Sequence, residues 1–288
     1  MCWTNVISFA TAVARQVVPA FVSVAVGSCT SSDLYFEPAP AANRPAPKVI
    51  GGQPADSAKF PATLVIRPGT TPTRSQCTAT VVGIRSVLTA AHCLEGVANA
   101  QLKLNQKYVP VTCEKHPKFT GTDCVAKPLQ YTCAPDIALC YSAADIIMPG
   151  LKYEKLNSFA PRRVIVGDSL VLLGYGCTAE NGKPVPGLYT GRARVVAESK
   201  DAGATTPEER FIVVKGGAHG CFGDSGGAVY DKPDQPRMVV GVLSNGRGDL
   251  AITRLVSTRD NLVLPWIVRW GSLRGTKICG VHSNAPGC

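Results

Sequence analysis

From about residue 49 onwards, short apolar runs alternate with turn-forming residues. The runs are rich in Val, Ile, Leu and Thr and are bounded by Gly, Pro, Asn and Asp, which is typical of β-strands joined by turns. The pattern predicts strands at 62–66, 78–82, 86–90, 170–174, 192–197, 211–215, 227–230, 238–243 and 251–256. Residues 264–270 instead have a Pro near their start and an apolar stripe, which predicts a short helix. The chain is therefore predicted to be all-β, a sandwich or a barrel, with a short C-terminal helix.

The first 48 residues have a different pattern. Residues 16–28 are mostly apolar and follow Arg15, and they are too short for a comfortable membrane span, so we interpret residues 1–28 as a signal segment. Residues 29–48 have several prolines among alanines and are predicted to be an extended linker and propeptide. Val26-Gly27-Ser28-Cys29 resembles a bacterial lipobox, which implies either a lipidated Cys29 at the cell surface or periplasm, or plain cleavage and secretion.

The cysteine count indicates an oxidising, extracytoplasmic compartment. The chain has 12 cysteines, and Cys2 and Cys29 lie in the export segment, which leaves 12 − 2 = 10 for bridges. A zinc site is not favoured because short Cys-x-x-Cys spacings are missing, so no metal is expected.

The length of 288 residues allows one large or two small domains, and a hydrophobic content of 45% is enough for a substantial core. The net charge is +10, but the basic residues are scattered along the chain. This distribution does not favour a nucleic-acid partner and is more consistent with a general attraction to anionic surfaces.

Three short motifs carry side chains that could act together. Gly223-Asp224-Ser225-Gly226-Gly227 offers a serine nucleophile, Thr89-Ala90-Ala91-His92-Cys93 offers a base, and Asp136-Ile137-Ala138-Leu139 offers a carboxylate. A serine hydroxyl needs a neighbouring base, imidazole titrates near neutrality, and a carboxylate can hold the imidazole in the correct tautomer. Taken singly, each motif also fits a loop, a core histidine or a strand edge.

The backbone around the serine suits anion binding. The N–H groups of Gly223 and Ser225 could together form an oxyanion hole, and a side chain at 223 would crowd the incoming carbonyl group.

The three motifs, in the order His, Asp, Ser, resemble the trypsin/chymotrypsin family of serine endopeptidases from Val49 to about Trp270. The resemblance implies two six-stranded antiparallel β-barrels in residues 49–288, the first in about 49–150 and the second in about 160–288, with a crossing segment at 145–165. It implies cleavage of protein or peptide substrates through an acyl-enzyme, without a cofactor. His92 and Asp136 would lie on the first barrel and Ser225 on the second.

The resemblance also implies disulfide pairs. Cys77–Cys93 would brace the histidine loop, Cys177–Cys221 would join two neighbouring loops, and Cys279–Cys288 would close the C-terminus. The remaining four cysteines allow three connectivities: Cys113, Cys124, Cys133 and Cys140.

The segment Val49-Ile50-Gly51-Gly52 resembles the family's new N-terminus after zymogen cleavage. Cleavage between Lys48 and Val49 by an activating protease would free an ammonium group. The resemblance implies that this group pairs with Asp224 and orders the oxyanion loop.

His219 stands six residues before Ser225, where the resemblance implies the floor of the specificity pocket, with Gly220 next to it. Ser244, Asn245 and Gly246 are the expected walls, and Leu250 is expected near the floor. Because no acidic residue remains there, we expect no preference for Lys or Arg. A protonated His219 aided by Arg247 would accept Glu or Asp. A neutral His219 with Leu250 would accept small or medium apolar side chains, and this second option is favoured because burial resists protonation.

Two other functions compete with the peptidase. An inert relative would keep the fold and act as a binding protein, but no residue of the triad or oxyanion hole is replaced. An esterase of another fold is disfavoured by the order of the triad and by the lack of a strand-to-helix elbow around Ser225.

Overall fold

The computed structural model describes residues 49–69, 76–121, 135–159, 162–177, 186–200 and 210–288. The predicted signal segment, linker and propeptide, with Cys29 and Lys48, lie outside the described residues, as do Cys124 and Cys133. No helix among the described residues is long and apolar enough to cross a membrane.

Fourteen strands and one α-helix follow one another along the described chain. The first seven strands are β1 (Gln53–Pro54), β2 (Thr63–Pro68), β3 (Cys77–Gly83), β4 (Ser86–Thr89), β5 (Asn99–Leu104), β6 (Lys107–Lys115) and β7 (Ala138–Tyr141). The next seven are β8 (Lys155–Leu156), β9 (Ser169–Gly174), β10 (Tyr189–Ala197), β11 (Phe211–Lys215), β12 (Ala228–Tyr230), β13 (Met238–Arg247) and β14 (Ile252–Ser257), and the chain then forms helix α1 (Val263–Leu273).

The strands close into two six-stranded antiparallel barrels, as predicted. The first barrel has the order β2-β3-β4-β7-β6-β5, with β5 returning to β2. The second has the order β9-β10-β11-β14-β13-β12, with β12 returning to β9. The short strand β1 adds to β10, and β8 pairs in parallel with β13. Apolar strands such as β3 are buried along their whole length, and the larger apolar cluster combines residues of both barrels, while a smaller one lies in the second barrel.

The first barrel contains three strands that the sequence pattern did not predict. Charged residues and a proline interrupt the apolar pattern of β5 and β6, and β7 is only 4 residues long. The hairpin between β5 and β6 turns at Asn105 and Gln106, which both have positive φ angles, 44° and 66°. The predicted C-terminal helix is present and is slightly longer than expected.

The chain crosses from one barrel to the other over residues 154–157. The N–H group of Glu154 donates to Val81 of the first barrel at 3.0 Å, and the N–H group of Asn157 donates to Val239 of the second at 2.8 Å. The crossing therefore occurs within the predicted segment 145–165 and is hydrogen-bonded to both sides.

A buried ion pair secures this crossing. The guanidinium of Arg237 contacts the carboxylate of Glu154, and both side chains are 2% exposed. The guanidinium also donates to the carbonyl oxygen of Lys59 at 2.9 Å and lies 4.1 Å from the ring centroid of Phe60 and 4.8 Å from that of Tyr230. One cation thus holds the entry to the first barrel, the crossing and the second barrel together.

We expect Arg237→Met to lower the free energy of unfolding by about 3–5 kcal/mol, because it leaves the Glu154 carboxylate buried without its partner. Arg274→Met is the matched control, since Arg274 pairs with Glu114 at the surface and should contribute less than about 1 kcal/mol. Urea denaturation of both variants measures the difference. Equal losses in the two variants would show that the buried pair does not hold the crossing.

Candidate active site

The imidazole of His92 is positioned by the end of strand β4. A short 3-10 helix, His92–Leu94, is separated from the end of this strand by two residues, and the disulfide Cys77–Cys93 ties it to the start of β3 with a Cα–Cα distance of 6.2 Å. The predicted pair is therefore present, and it fixes the backbone next to the imidazole.

The carboxylate of Asp136 reaches His92 because of strand pairing. Asp136 lies two residues before β7, and the pair Thr89–Ala138 aligns β7 with β4. His92 Nδ1–H donates to Asp136 Oδ2 at 2.6 Å, and the backbone N–H of His92 donates to Oδ1 at 2.8 Å. Residues that are 44 positions apart in the chain thus form a paired acid and base.

A third donor to Asp136 comes from the second barrel. The hydroxyl of Ser244, on β13, donates to Asp136 Oδ2 at 2.6 Å. The Asn245 amide donates to Ser244 Oγ at 3.4 Å, and Arg254 Nη1 donates to Asn245 Oδ1 at 3.3 Å. The sequence analysis placed Ser244 and Asn245 in the pocket wall and missed Arg254, which the register of β13 against β14 brings opposite Asn245.

The contact between His92 and Asp136 shifts the pKa values of both side chains. Burial opposes the charge on Asp136, but the His92 charge and the hydrogen bonds from His92 and Ser244 outweigh it and lower the pKa of Asp136. Burial likewise opposes the charged form of His92, but the Asp136 carboxylate outweighs it and raises the pKa of His92 above its ordinary value. The arrangement provides an oriented base that can also hold a proton.

The loop that carries Ser225 is docked closely against the first barrel. Thr78 N–H donates to the carbonyl oxygen of Ser225 at 2.9 Å, and the Thr78 hydroxyl donates to that of Gly223 at 2.7 Å. Gly226 has a φ angle of 83°, and a Cβ there would lie 2.2 Å from Thr89 Oγ1 and 2.3 Å from the carbonyl oxygen of Thr78. Only glycine allows this approach.

Ser225 and His92 meet across the Cys77–Cys93 disulfide. Cys93 Sγ lies 3.9 Å from His92 Nε2 and 3.7 Å from the carbonyl oxygen of Ser225. Among the described residues, no hydrogen bond joins the Ser225 hydroxyl to His92. The Ser225 backbone and the outer ring nitrogen of His92 thus both lie next to the Cys93 sulfur, and a missing hydrogen bond between the two side chains is common in substrate-free sites.

Asp224 is completely buried below this loop. Its carboxylate accepts hydrogen bonds from Gly176 N–H and Cys221 N–H, both at 2.8 Å. Burial raises the pKa of Asp224 to about 7, although the two backbone donors oppose the shift. The disulfide Cys177–Cys221 joins the two segments that supply these donors.

The N-terminal segment of the described chain packs beside the same loop. Val49 is 1% exposed in the core of the second barrel, and the carbonyl oxygen of Ile50 accepts from His219 N–H at 2.8 Å. A Cβ on Gly51, whose φ angle is 88°, would lie 2.2 Å from the carbonyl oxygen of Gly217. The glycine is needed for this close contact.

The structure corrects one residue of the expected pocket. Leu250 lies in a 3-10 helix, Gly248–Leu250, and is 44% exposed, so it does not line a buried floor. The buried hydroxyl of Thr253 instead accepts from Gly220 N–H at 2.9 Å, next to His219. A turn separates the two, since Ala251 adopts a φ angle of 51° and reverses the chain into β14.

Two further disulfides are Cys113–Cys140, within the first barrel, and the predicted Cys279–Cys288. The first resolves one pair among the four cysteines that the sequence left open. Cys77, His92 and Cys93 have potential metal-ligand atoms within 4.8 Å of one another, but both sulfurs are consumed by the disulfide. A disulfide sulfur is not a thiolate ligand, so this group does not make a metal site.

Comparisons with known proteins agree with this geometry. The model of the family described as Trypsin matches residues 49–267. A trypsin-like protease from Streptomyces glaucescens is 26% identical over 233 residues, covering 78% of this chain and 83% of the relative. The fold is similar to that of human heparin binding protein, with a TM-score of 0.57 and 17% identity over 79% of this chain and 98% of that one. The match of the Trypsin family to most of the chain establishes that this protein belongs to the trypsin-like serine protease family.

Proposed function

We propose that the protein is a secreted or membrane-anchored serine endopeptidase that cleaves peptide bonds with His92, Asp136 and Ser225. The observation that carries the proposal is the buried Asp136 carboxylate, which holds His92 Nδ1–H at 2.6 Å beside the loop of Ser225. A serine nucleophile needs a base that is held in the correct orientation, and the His92–Asp136 pair supplies such a base in a chain that belongs to a protease family.

In the proposed reaction, His92 Nε2 takes the Ser225 proton as the hydroxyl attacks the peptide carbonyl. The proton then passes from His92 to the leaving amine, and the acyl group stays on Ser225 until water, activated by the same imidazole, releases it. Asp136 keeps the tautomer that leaves Nε2 free and stabilises the imidazolium. The N–H groups of Gly223 and Ser225 bind the oxyanion.

Ser225→Ala should reduce kcat by on the order of 10⁶ while the protein stays folded, because the nucleophile is lost and the binding surface is kept. A fluorophosphonate should label the parent protein at Ser225, and mass spectrometry of the tryptic peptide identifies the site. A Ser272→Ala variant, altered at an exposed helical serine, should be labelled like the parent. If the processed parent is not labelled and cleaves no peptide, the protein is instead a catalytically silent binding member of the family.

The dependence of activity on pH should report His92. The base must be neutral, and because the pKa of His92 is raised above the ordinary 6.5, kcat/KM should increase with pH through a midpoint above 6.5. Asp136→Asn removes the charge that raises this pKa. Its residual activity, lower by on the order of 10⁴ as for the same change in trypsin-type enzymes, should have a midpoint at lower pH. Profiles from pH 4 to 10 for both proteins test this, and equal midpoints would contradict the pairing.

We also propose that the chain is a zymogen that an activating protease cleaves between Lys48 and Val49. Asp224 supports this, because its buried carboxylate has two backbone donors but no cation among its described hydrogen bonds. The ammonium group of a new Val49 terminus would supply that charge and lower the pKa of Asp224 from about 7. Gly51 allows Val49 to reach the core beside the catalytic loop.

Cleaved protein should begin at Val49 on N-terminal sequencing and should be far more active than the intact chain. Lys48→Gln should block activation by Lys-specific proteases. Lys59→Gln is the control, because Lys59 lies after the Lys48–Val49 bond, and this variant should be activated like the parent. Activity should decline at high pH as the Val49 ammonium, unperturbed near ~8 and raised by pairing, loses its proton. Full activity in protein that still carries residue 48 would exclude this activation.

The disulfides are consistent with an extracellular protein, as is typical of the family. We propose export through residues 1–28, with either secretion or attachment through a lipidated Cys29. The substrates are proteins or peptides, and Lys or Arg before the cleaved bond is not preferred.

A further inference from the structure

The imidazole of His219 is a buried polar group without an internal role. The residue is 5% exposed, and neither ring nitrogen has a hydrogen-bond partner among the described residues. Folded proteins pair the large majority of their buried side-chain nitrogens, and exceptions call for an explanation such as a ligand that is absent. His116 and His282, by contrast, each contact a carbonyl oxygen at 3.2 Å.

The backbone holds His219 in this position from both sides. Its N–H donates to Ile50, and the next residue, Gly220, donates to the Thr253 hydroxyl at 2.9 Å. Thr253 is fully buried in β14. These bonds fix the main chain on either side of the ring, so the backbone cannot readily carry the imidazole into water without breaking them.

The backbone on both sides of His219 leads to segments that carry or contact the proposed catalytic residues. Thr253 pairs across the sheet with Gly246, and two residues before Gly246 stands Ser244, which donates to Asp136. In the other direction, Cys221 N–H is bonded to Asp224, the neighbour of Ser225. The backbone around His219 is therefore held by segments that also contact Asp136 and the residue next to Ser225.

The charge state of the ring selects the chemistry of its ligand. Burial lowers the pKa of His219, so the ring is neutral near pH 7 and offers one donor and one acceptor. An apolar ligand would leave both nitrogens unpaired. A Lys or Arg side chain would bring a charge with no counter-ion, and a carboxylate would bring a charge that a neutral ring does not balance.

A carboxamide meets these conditions, because it is uncharged and carries both an N–H₂ donor and a carbonyl acceptor. We propose that His219 recognises the carboxamide of a Gln or Asn side chain in the residue that precedes the cleaved bond. This proposal rests on the proposed peptidase function. It replaces the expectation of an apolar side chain, which was based on the neutral charge of the His219 ring and did not include the missing hydrogen-bond partners of its nitrogens.

The test uses processed enzyme and a set of peptides that differ only before the cut, with Gln, Asn, Glu, Met or Lys. Met has a length similar to Gln but lacks the amide. We expect Gln or Asn to exceed Met in kcat/KM by tenfold or more, with a ratio that stays constant from pH 6.5 to 9 because neither partner titrates there. Sites built to hydrogen-bond a substrate reject analogues that lack the group by similar or larger factors.

His219→Leu removes both nitrogens and should bring the ratio of Gln to Met within about threefold. His282→Leu is the matched control and should keep the parent ratio, since the His282 ring nitrogens contact the backbone of Val268, in helix α1, and of Ile278. Active-site titration with a fluorophosphonate normalises every rate to folded enzyme. If His219→Leu does not fold, the same ratio of Gln to Met is measured with His219→Phe and compared with the ratio of the parent enzyme.

The outcomes separate this proposal from the peptidase function. If a processed parent is not labelled at Ser225 and cuts no peptide, the peptidase function fails, and binding of the uncut Gln and Met peptides to Ser225→Ala still tests His219. If the enzyme is labelled but prefers Met, the ring has only a packing role. A preference for Glu that increases towards low pH would indicate a protonated ring, and a preference for Lys would also overturn the proposal.

Discussion

The carboxylate of Asp136 is the point on which the site depends, because it is a buried charge shared by both barrels. His92 donates to it from the first barrel, and Ser244 donates from the second. A buried carboxylate is tolerated only with such partners. The direction of the network follows from its ends: an arginine only donates and a carboxylate only accepts, so Arg254, Asn245 and Ser244 all donate towards Asp136. This direction orients the Ser244 hydroxyl and leaves the far nitrogen of His92 available.

A second constraint is the close approach of the Ser225 loop to the first barrel. Gly226 contacts Thr78 and Thr89 at distances that no side chain would permit. The disulfides Cys77–Cys93 and Cys177–Cys221 hold the backbone on the two sides of this contact. The proposed catalytic groups are therefore carried by segments with little freedom to rearrange, which is what positional catalysis requires.

Asp136 and Asp224 show how burial can have opposite results for two carboxyl groups in one site. The pKa of Asp136 is lowered because an imidazole and a hydroxyl serve it, whereas that of Asp224 is raised to about 7 because only backbone N–H groups do. The first carboxylate is charged at all physiological pH values. Near neutral pH the second gains its full charge only when a cation pairs with it, which suits Asp224 to the switch in the proposed activation by cleavage.

The sequence by itself determined the all-β class, the C-terminal helix and the three motifs of the proposed triad, because strand alternation and turn residues are local signals. It did not reveal β5 and β6, whose charged residues and proline hide the apolar pattern, nor Arg254, which reaches Asn245 only through the register of two strands. It placed Leu250 near a buried pocket floor, but Leu250 is 44% exposed, and a left-handed residue at Ala251 separates it from the buried Thr253. Only the tertiary structure decided that Cys113 pairs with Cys140, and that both nitrogens of His219 are left without partners, because pairing and burial depend on which distant segments fold against each other.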